Sequence, residues 1–454
     1  MKRLFGTNGV RGVTNRELTA ELALGMGKAI GTYFNEKSKV LVGRDIRAGG
    51  DMLVRALTSG LLSAGIDVYY AGILPTPTLQ YGIKNGKYDG GVMVTASHNP
   101  PEFNGIKVID ADGVETSSLN EEMIEEYYFS RKFREVEWRD LGHDVKEVPG
   151  LIDQYVKGIL RHVDVKRIRE RRFRVLVDGG SSVGSLTSVK VARELGCELH
   201  EIGTELDPLF RQRLPEPTPM SLKKTAELAT RLKVDIAVAH DGDADRAIFI
   251  DSDGKVQLGD RSGVLLAYWV SLKEKPRSKI VATPFSSSNL VDEFLEKHGI
   301  KTEWTHIGSI HVSRKLIENG GFAGFEDNGG FIYPKHQYVR DGAMAFALML
   351  DFLASQKKSS AELFDMLPKY NSEKIKIPIA NGMNVDDILS KVNEKYMNSG
   401  KVVNTDRDGV KIVGKDFWFI VRKSGTEPVI RVSVEAKGKA KLDQTIENLK
   451  KIIF

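Results

Sequence analysis

Three times along this 454-residue chain the same order of segments recurs. Each copy opens with a basic residue and a short apolar strand: Lys39 before VLVG, Arg174 before VLVDGG, Lys279 before IVAT. After a helix-like stretch comes a second strand that begins and ends in glycine: GIDVYYAG from Gly65, GCELHEIG from Gly196, GIKTEWTHIG from Gly299. A further helix-like stretch leads to a third strand that runs into a polar loop, TASHNP (95–100), DGDADR (241–246) or FEDNGG (325–330). Strand, helix, strand, helix, strand is the grammar of a mostly parallel α/β sheet, and its recurrence predicts three related α/β domains. Right-handed crossovers lay the three strands side by side with their carboxyl ends together. Ligands of open α/β sheets bind at those ends.

The last 85 or so residues break the pattern. PKYNSEKIKIPI and DGVKIVGKDFWFIVRKSGTEPVIRVSVEA alternate apolar and polar residues as an antiparallel sheet does, and a helix-like run follows from Lys439 to Ile453. The predicted architecture is therefore three related mixed α/β domains, 1–150, 151–252 and 253–368, plus a smaller α+β domain, 369–454. Gly150, Ser252-Asp253-Gly254 and Pro368 punctuate the boundaries.

Composition narrows the function classes. A net charge of +5 is too weak for a nucleic-acid binder of this length, and no apolar run approaches the roughly 18–20 residues of a membrane span. A single cysteine, Cys197, rules out an intrachain disulfide and fits a reducing compartment. The opening MKRLFGTNGVRG has neither an apolar stretch nor a cleavage pattern, so a cytoplasmic location is expected.

The loops carry the chemistry. In DGDADR, Asp241, Asp243 and Asp245 alternate with small residues, so several carboxylates converge on one hard cation such as Mg2+ or Ca2+. An EF-hand is excluded, because its required Gly and Glu are Arg246 and Ser252 here and a strand precedes the loop. Carboxylates this close repel unless a cation neutralises them, and Arg246 adds a phosphate-shaped donor fork. The alternative is a plain acidic surface turn.

TASHNP presents the Ser97 hydroxyl just past a strand, with Asn99 and Pro100 forming a turn. A nucleophilic Ser97–His98 pair is disfavoured, because neighbours in an extended loop point apart and no G-x-S-x-G elbow exists. Ser97 together with a distant metal turn reads instead as a hydroxyl that carries a phosphoryl group, with Lys107 in FNGIKV supplying charge or a proton. In RKSGTEP (422–428), Arg422 and Lys423 flank a Ser424-Gly425-Thr426 turn, a small-anion nest that Arg431 on the next strand reinforces. GFEDNGG (324–330) joins Glu326 and Asn328 to glycines that permit close backbone approach, which suits vicinal sugar hydroxyls. FGTNGVRG (5–12), with Arg11, lacks the G-x-x-x-x-G-K-[ST] of a nucleotide loop.

TASHNP, DGDADR and RKSGTEP, in this order across the whole chain, resemble the motifs of the α-D-phosphohexomutase superfamily. That resemblance implies four domains around a central cleft and a mutase that moves phosphate between O6 and O1 of a hexose. It implies Ser97 as the phosphoserine, Asp241, Asp243 and Asp245 as ligands of one Mg2+ with the Ser97 phosphate, and Arg11, Lys107 and Arg246 as catalytic residues; His98, next to Ser97 in TASHNP, is a further catalytic candidate. Glu326 and Asn328 fall in the sugar loop, and Arg422, Ser424, Gly425 and Thr426 in the phosphate grip, which Arg431 on the next strand supports by its charge alone. Gly308, in THIGSIHV (305–312), falls where members differ by substrate. A hexose bisphosphate serves as activator and intermediate, and the partner is a small sugar phosphate, with glucosamine phosphate favoured over mannose and glucose phosphates. The sugar loop departs from the usual Glu-x-Ser-Gly-His: it reads Glu326-Asp327-Asn328-Gly329-Gly330, with an amide for the hydroxyl and no His. Two other classes share features: a metal-dependent sugar phosphatase, which would release inorganic phosphate, and a non-catalytic sugar-phosphate-binding protein, which would need neither Ser97 nor three aspartates.

Overall fold

A computed structural model describes residues 4–6, 9–143, 146–380, 383–397, 400–405, 409–423 and 429–454. The threefold repeat appears in it as three sheets. In the first, strand Lys39–Arg44 lies between Asp67–Ile73 and Gly90–Val94, both parallel to it, with Val40 opposite Val68 on one side and Gly90 on the other. Arg174–Asp178 is flanked in the same way by Glu198–Ile202 and Ile236–Ala239, and Ile280–Pro284 by Lys301–Thr305 and Ala323–Phe325. The central strands are buried on both faces, which is why VLV and IVA read as unbroken apolar runs.

Each sheet then does something that the parallel pattern did not predict. The third strand returns as an antiparallel partner: Phe103–Asp110 on Gly90–Val94, Ile248–Ile250 on Ile236–Ala239, and Phe331–Tyr333 on Ala323–Phe325. The polar loops are too short to hold a crossover helix, so the chain can only turn back. All three loops are therefore tips of antiparallel returns at the carboxyl ends of parallel strands.

The C-terminal sheet is antiparallel throughout. Val429–Ala436 lies between Asn371–Pro378 and Phe417–Lys423, with Gly409–Val413 and Lys401–Thr405 beyond. Ile430, Val432, Val434 and Ala436 alternate inward. Against them, helices Val385–Tyr396 and Lys439–Ile453 bury Val385, Ile388 and Val392, and Leu442, Ile446 and Leu449, the three-to-four spacing of one apolar stripe.

The first domain and the fourth each have their own core, but the second and third share one. Its centre is helix Gly342–Ser355, which is buried on every side and packs against helices Val165–Arg171, Ser185–Glu194 and Gly259–Glu274. Burying a side chain such as Phe346 or Phe352 contributes about 1.5–3 kcal/mol. Asp351, in the middle of that helix, stays buried because Lys273 Nζ and Arg167 Nη2 each donate to it at 2.7 Å and Trp269 Nε1 at 3.2 Å. The fourth domain docks on the third through Lys411, whose ammonium lies 4.3 and 4.4 Å from the ring centres of Trp304 and Trp418. No helix among the described residues is long and apolar enough to cross a membrane.

Candidate active site

The TASHNP and DGDADR loops meet. Strand Gly90–Val94 delivers Ser97 in the left-handed backbone region, φ +49°, with its side chain buried. From there the Ser97 hydroxyl donates to Asp241 Oδ2 at 2.7 Å. The same left-handed turn brings His98 Nδ1 to 3.5 Å from Ser97 Oγ, although the two side chains were expected to diverge from an extended loop. That nitrogen already has a partner. Arg246 Nη2 lies 2.8 Å away, and because a guanidinium only donates, His98 Nδ1 accepts. Burial, and then the charges of Arg246, Arg11 and Arg340, hold His98 well below the ordinary histidine range, so the ring is neutral.

Asp241, Asp243 and Asp245 are buried, and each offers a carboxylate oxygen within 4.8 Å of the others. The chain supplies counter-charges from three sources. Lys107, on the antiparallel return of the first sheet, donates to Asp243 Oδ2 at 2.8 Å and sits 3.8 Å from Asp245. Arg340 contacts Asp245, and Arg246 Nε lies 3.6 Å from Asp241. Lys107 is thus buried within the site, where a strand-edge lysine is usually solvated.

The charges are distributed unevenly. Burial, then the neighbouring Asp245 and Asp243, pushes Asp241 up to about 7. Burial also acts to raise Asp243, but the Lys107 ammonium and hydrogen bonds from Lys107 and Thr76 outweigh it and hold this carboxyl below the usual range. Asp243 Oδ1 and Asp245 Oδ1 are buried without a hydrogen-bond partner. Two orphaned carboxylate oxygens beside a third carboxylate fit a hard divalent cation, which takes oxygen ligands and leaves room for phosphate or water. Arg11 Nε, Arg246 Nε and Arg340 Nε are likewise buried without such a partner, donors available to an anion.

The third loop joins the other two. Arg246 and Gly330 form a backbone bridge, and Ala247 N donates to Gly329 O at 2.9 Å. Arg340 Nη1 donates to Glu326 at 2.9 Å while the same guanidinium contacts Asp245, so one side chain ties the 325–330 loop to the 241–246 turn. Asn328 Oδ1 accepts from Gly330 N within its own turn. Arg11 donates to Asn99 Oδ1. Gly308, with φ +129°, opens helix Ser309–Asn319 at the end of its strand.

On the fourth domain, Arg422 and Arg431 are direct cross-strand partners. Ser424, Gly425 and Thr426 lie outside the described residues. Sequence reading missed Thr76, whose Oγ1 donates to Asp243 Oδ2 at 2.7 Å, and Arg340. Neither belongs to a motif: Thr76 begins an ordinary helix and Arg340 ends an ordinary hairpin strand.

A four-domain fold in which a serine, three aspartates and the 325–330 loop from its first three domains meet at one centre places the chain in the phosphohexomutase class. Models of the phosphoglucomutase/phosphomannomutase alpha/beta/alpha domains I, II and III match residues 2–135, 153–254 and 258–370, and that of the C-terminal domain matches 375–452. The chain belongs to the phosphoglucomutase/phosphomannomutase family. It is 54% identical to a phosphoglucosamine/phosphogalactosamine mutase of Sulfurisphaera tokodaii over 100% of this chain and 99% of that one. It is 42% identical to a phosphoglucomutase/phosphomannomutase of Thermococcus kodakarensis over 98% of this chain and 97% of the relative. A crystal structure of a family protein from Burkholderia thailandensis superposes with a TM-score of 0.86 at 26% identity, covering 99% of this chain and 96% of that one.

Proposed function

We propose that the chain interconverts hexose 6-phosphate and hexose 1-phosphate through phosphorylated Ser97 and a hexose bisphosphate, with glucosamine phosphate as the favoured substrate. The observation that carries this reading is the 2.7 Å hydrogen bond from Ser97 Oγ to Asp241 inside a three-carboxylate cluster ringed by cations. A divalent cation such as Mg2+, one per chain, held by Asp241, Asp243, Asp245 and a Ser97 phosphate oxygen, would neutralise charge on the transferring group.

The chain's own residues account for the rest. As the phosphoryl group leaves Ser97 for a sugar hydroxyl, the bond from phosphorus to Oγ breaks, one to the sugar oxygen forms, and the hydroxyl proton ends on Oγ. Asp241 accepts the hydrogen bond of the hydroxyl so freed. Arg11 and Arg246 offer Nε donors to the group in flight, and neutral His98 orients Arg246 by accepting from it. Lys107 keeps Asp243 ionised. Positioning and charge are what phosphoryl transfer requires of a protein. Glu326 and Asn328 read the sugar. Arg422, Arg431 and the 424–426 loop hold the phosphate that is not reacting, and the bisphosphate turns end for end to return the other phosphate to Ser97. The S. tokodaii relative's name supports the amino sugar.

The test is replacement of Ser97 by Ala, with conversion of hexose 6-phosphate assayed under a catalytic amount of bisphosphate. Loss of turnover is expected; near-full activity defeats the phosphoserine role.

A further inference from the structure

One buried cation of the first domain, Arg47, is hydrogen-bonded to none of Asp241, Asp243 and Asp245 and not to the Ser97 hydroxyl. Arg47 has no exposed side-chain surface, and all five of its guanidinium N–H bonds are in use. Nε donates to Asp45 Oδ2 at 3.1 Å. Nη1 donates to the carbonyls of Pro100 (2.7 Å) and Phe103 (3.0 Å), and Nη2 to those of Ser97 (2.6 Å) and Asn99 (2.7 Å). Four backbone acceptors between positions 97 and 103 therefore converge on one planar fork. Asp45 completes the arrangement: Oδ1 accepts from Arg47 N at 2.9 Å and Oδ2 from Thr95 Oγ1 at 2.6 Å, while Thr95 Oγ1 accepts from Ser97 N at 2.9 Å. Both the carbonyl and the amide of Ser97 are thus fixed from beneath, and Ser97 stands in a backbone region that residues with side chains rarely adopt.

The second domain closes over the same point. The ring of Phe210 lies 5.1 Å from the Arg47 guanidinium. A Cβ on Gly242 would fall 2.3 Å from Ser97 O and 3.2 Å from Arg47 Nη2, so the metal turn packs directly on the carbonyl that Arg47 holds.

We infer that Arg47 is the positioning residue of the phosphoryl-carrying loop, a template that keeps Ser97 Oγ aimed at Asp241 while taking no part in the chemistry. This rests on the reading of Ser97 as the phosphoryl carrier. Lysine cannot replace it, since an ammonium lacks the planar five-donor fork.

The experiment compares Arg47→Ala, Arg47→Lys and Thr95→Val with the parent enzyme in steady-state kinetics and amide hydrogen exchange. A displacement of about 1 Å at a nucleophile costs about a hundredfold in rate. For both Arg47 variants kcat is expected to fall by about that factor while KM for the hexose phosphate holds steady. Millimolar guanidinium should restore part of kcat in Arg47→Ala and none in Ser97→Ala. Exchange of the 97–99 amides should quicken while the central strands stay protected. Unchanged kcat, a loss confined to KM, or a folded Arg47→Ala with unaltered exchange at 97–99 overturns the inference. Should Arg47→Ala not fold, Thr95→Val carries the test, with a smaller kcat loss and the same local exchange expected; parent-like kcat and exchange there overturn it. If Ser97→Ala keeps full activity, the functional reading fails, and hydrogen exchange alone then decides the role of Arg47.

Discussion

Ser97 and Asp241 stand 144 positions apart in sequence, yet the hydroxyl of one donates to the carboxylate of the other at 2.7 Å. The serine comes from the end of a parallel strand in the first domain and the aspartate from the end of its counterpart in the second. Neither domain alone forms the site.

The first prediction concerns pH and metal. Burial and two neighbouring carboxylates raise Asp241 to about 7, above its unfolded value of about 4. The native state then binds more protons than the unfolded one across that interval, so metal-free stability falls as pH rises from about 4 to about 7 and levels off above. A divalent cation takes the ionised carboxylate, so its affinity climbs over the same range. Thermal melts with a chelator should lose Tm between these pH values, and saturating Mg2+ should remove the loss, adding about 2.7 kcal/mol at a hundred times Kd. Asp241→Asn should abolish the metal effect and shrink the pH dependence, part of which belongs to Glu435, which burial also raises to about 7. A metal-free Tm as insensitive to pH in the parent as in Asp241→Asn contradicts the assignment.

Arg340 is the second target. Its guanidinium serves Glu326 and Asp245 together, and all three side chains are buried. Removing one partner of a buried ion pair costs about 3–5 kcal/mol. Arg340→Met should lower the urea midpoint accordingly and weaken turnover, because it frees both the sugar loop and the metal turn. Arg340→Lys should lose less stability. A midpoint unchanged in Arg340→Met would mean that the carboxylates find water.

A third prediction addresses the fourth domain. Lys374, on its first strand, contacts Asp327 in the sugar loop, where Ser286 also donates. Asp327, first and foremost, raises Lys374. Burial acts to raise Asp327, but the charge and hydrogen bond of Lys374 outweigh it and bring it below the usual range. The contribution from Asp327 is full above about pH 4 and lost on acidification; that from Lys374 is full below about pH 10.5 and lost on further titration with base. Because Lys374 is half exposed, Lys374→Ala should raise KM only about threefold, with kcat nearly unchanged, and salt should shrink the difference. Loss of kcat with KM constant contradicts a role in holding the domain closed.

Substrate choice is the fourth. Glucosamine 6-phosphate should exceed glucose and mannose 6-phosphates in kcat/KM by about tenfold or more, the low end of what one small group's difference in a pocket is worth. Asn328→Ser, which restores the hydroxyl common in this loop, should change the ranking. Equal constants for all three sugars would contradict the preference for the amino sugar.

Much of this was legible in the chain. VLVG, VLVDGG and IVAT announce central strands because burial on both faces leaves unbroken apolar runs, and DGDADR and TASHNP are local motifs whose neighbours in sequence are neighbours in space. Thr76, Arg340 and Arg47 were not legible, since each reaches the site from a segment that carries no chemical pattern of its own. The antiparallel returns were missed because strand direction depends on loop length, which the repeat obscures. Helix Gly342–Ser355 unites two predicted domains: an all-apolar run reports burial without telling which neighbours provide it.

The most direct measurement is the intact mass of the purified enzyme after exposure to hexose bisphosphate, in the parent and in Ser97→Ala. The parent should carry an added mass of about 80 Da, one phosphoryl group, and the variant none. A parent that stays unmodified while turning over hexose phosphates, or a Ser97→Ala protein that still gains the group, would contradict the account.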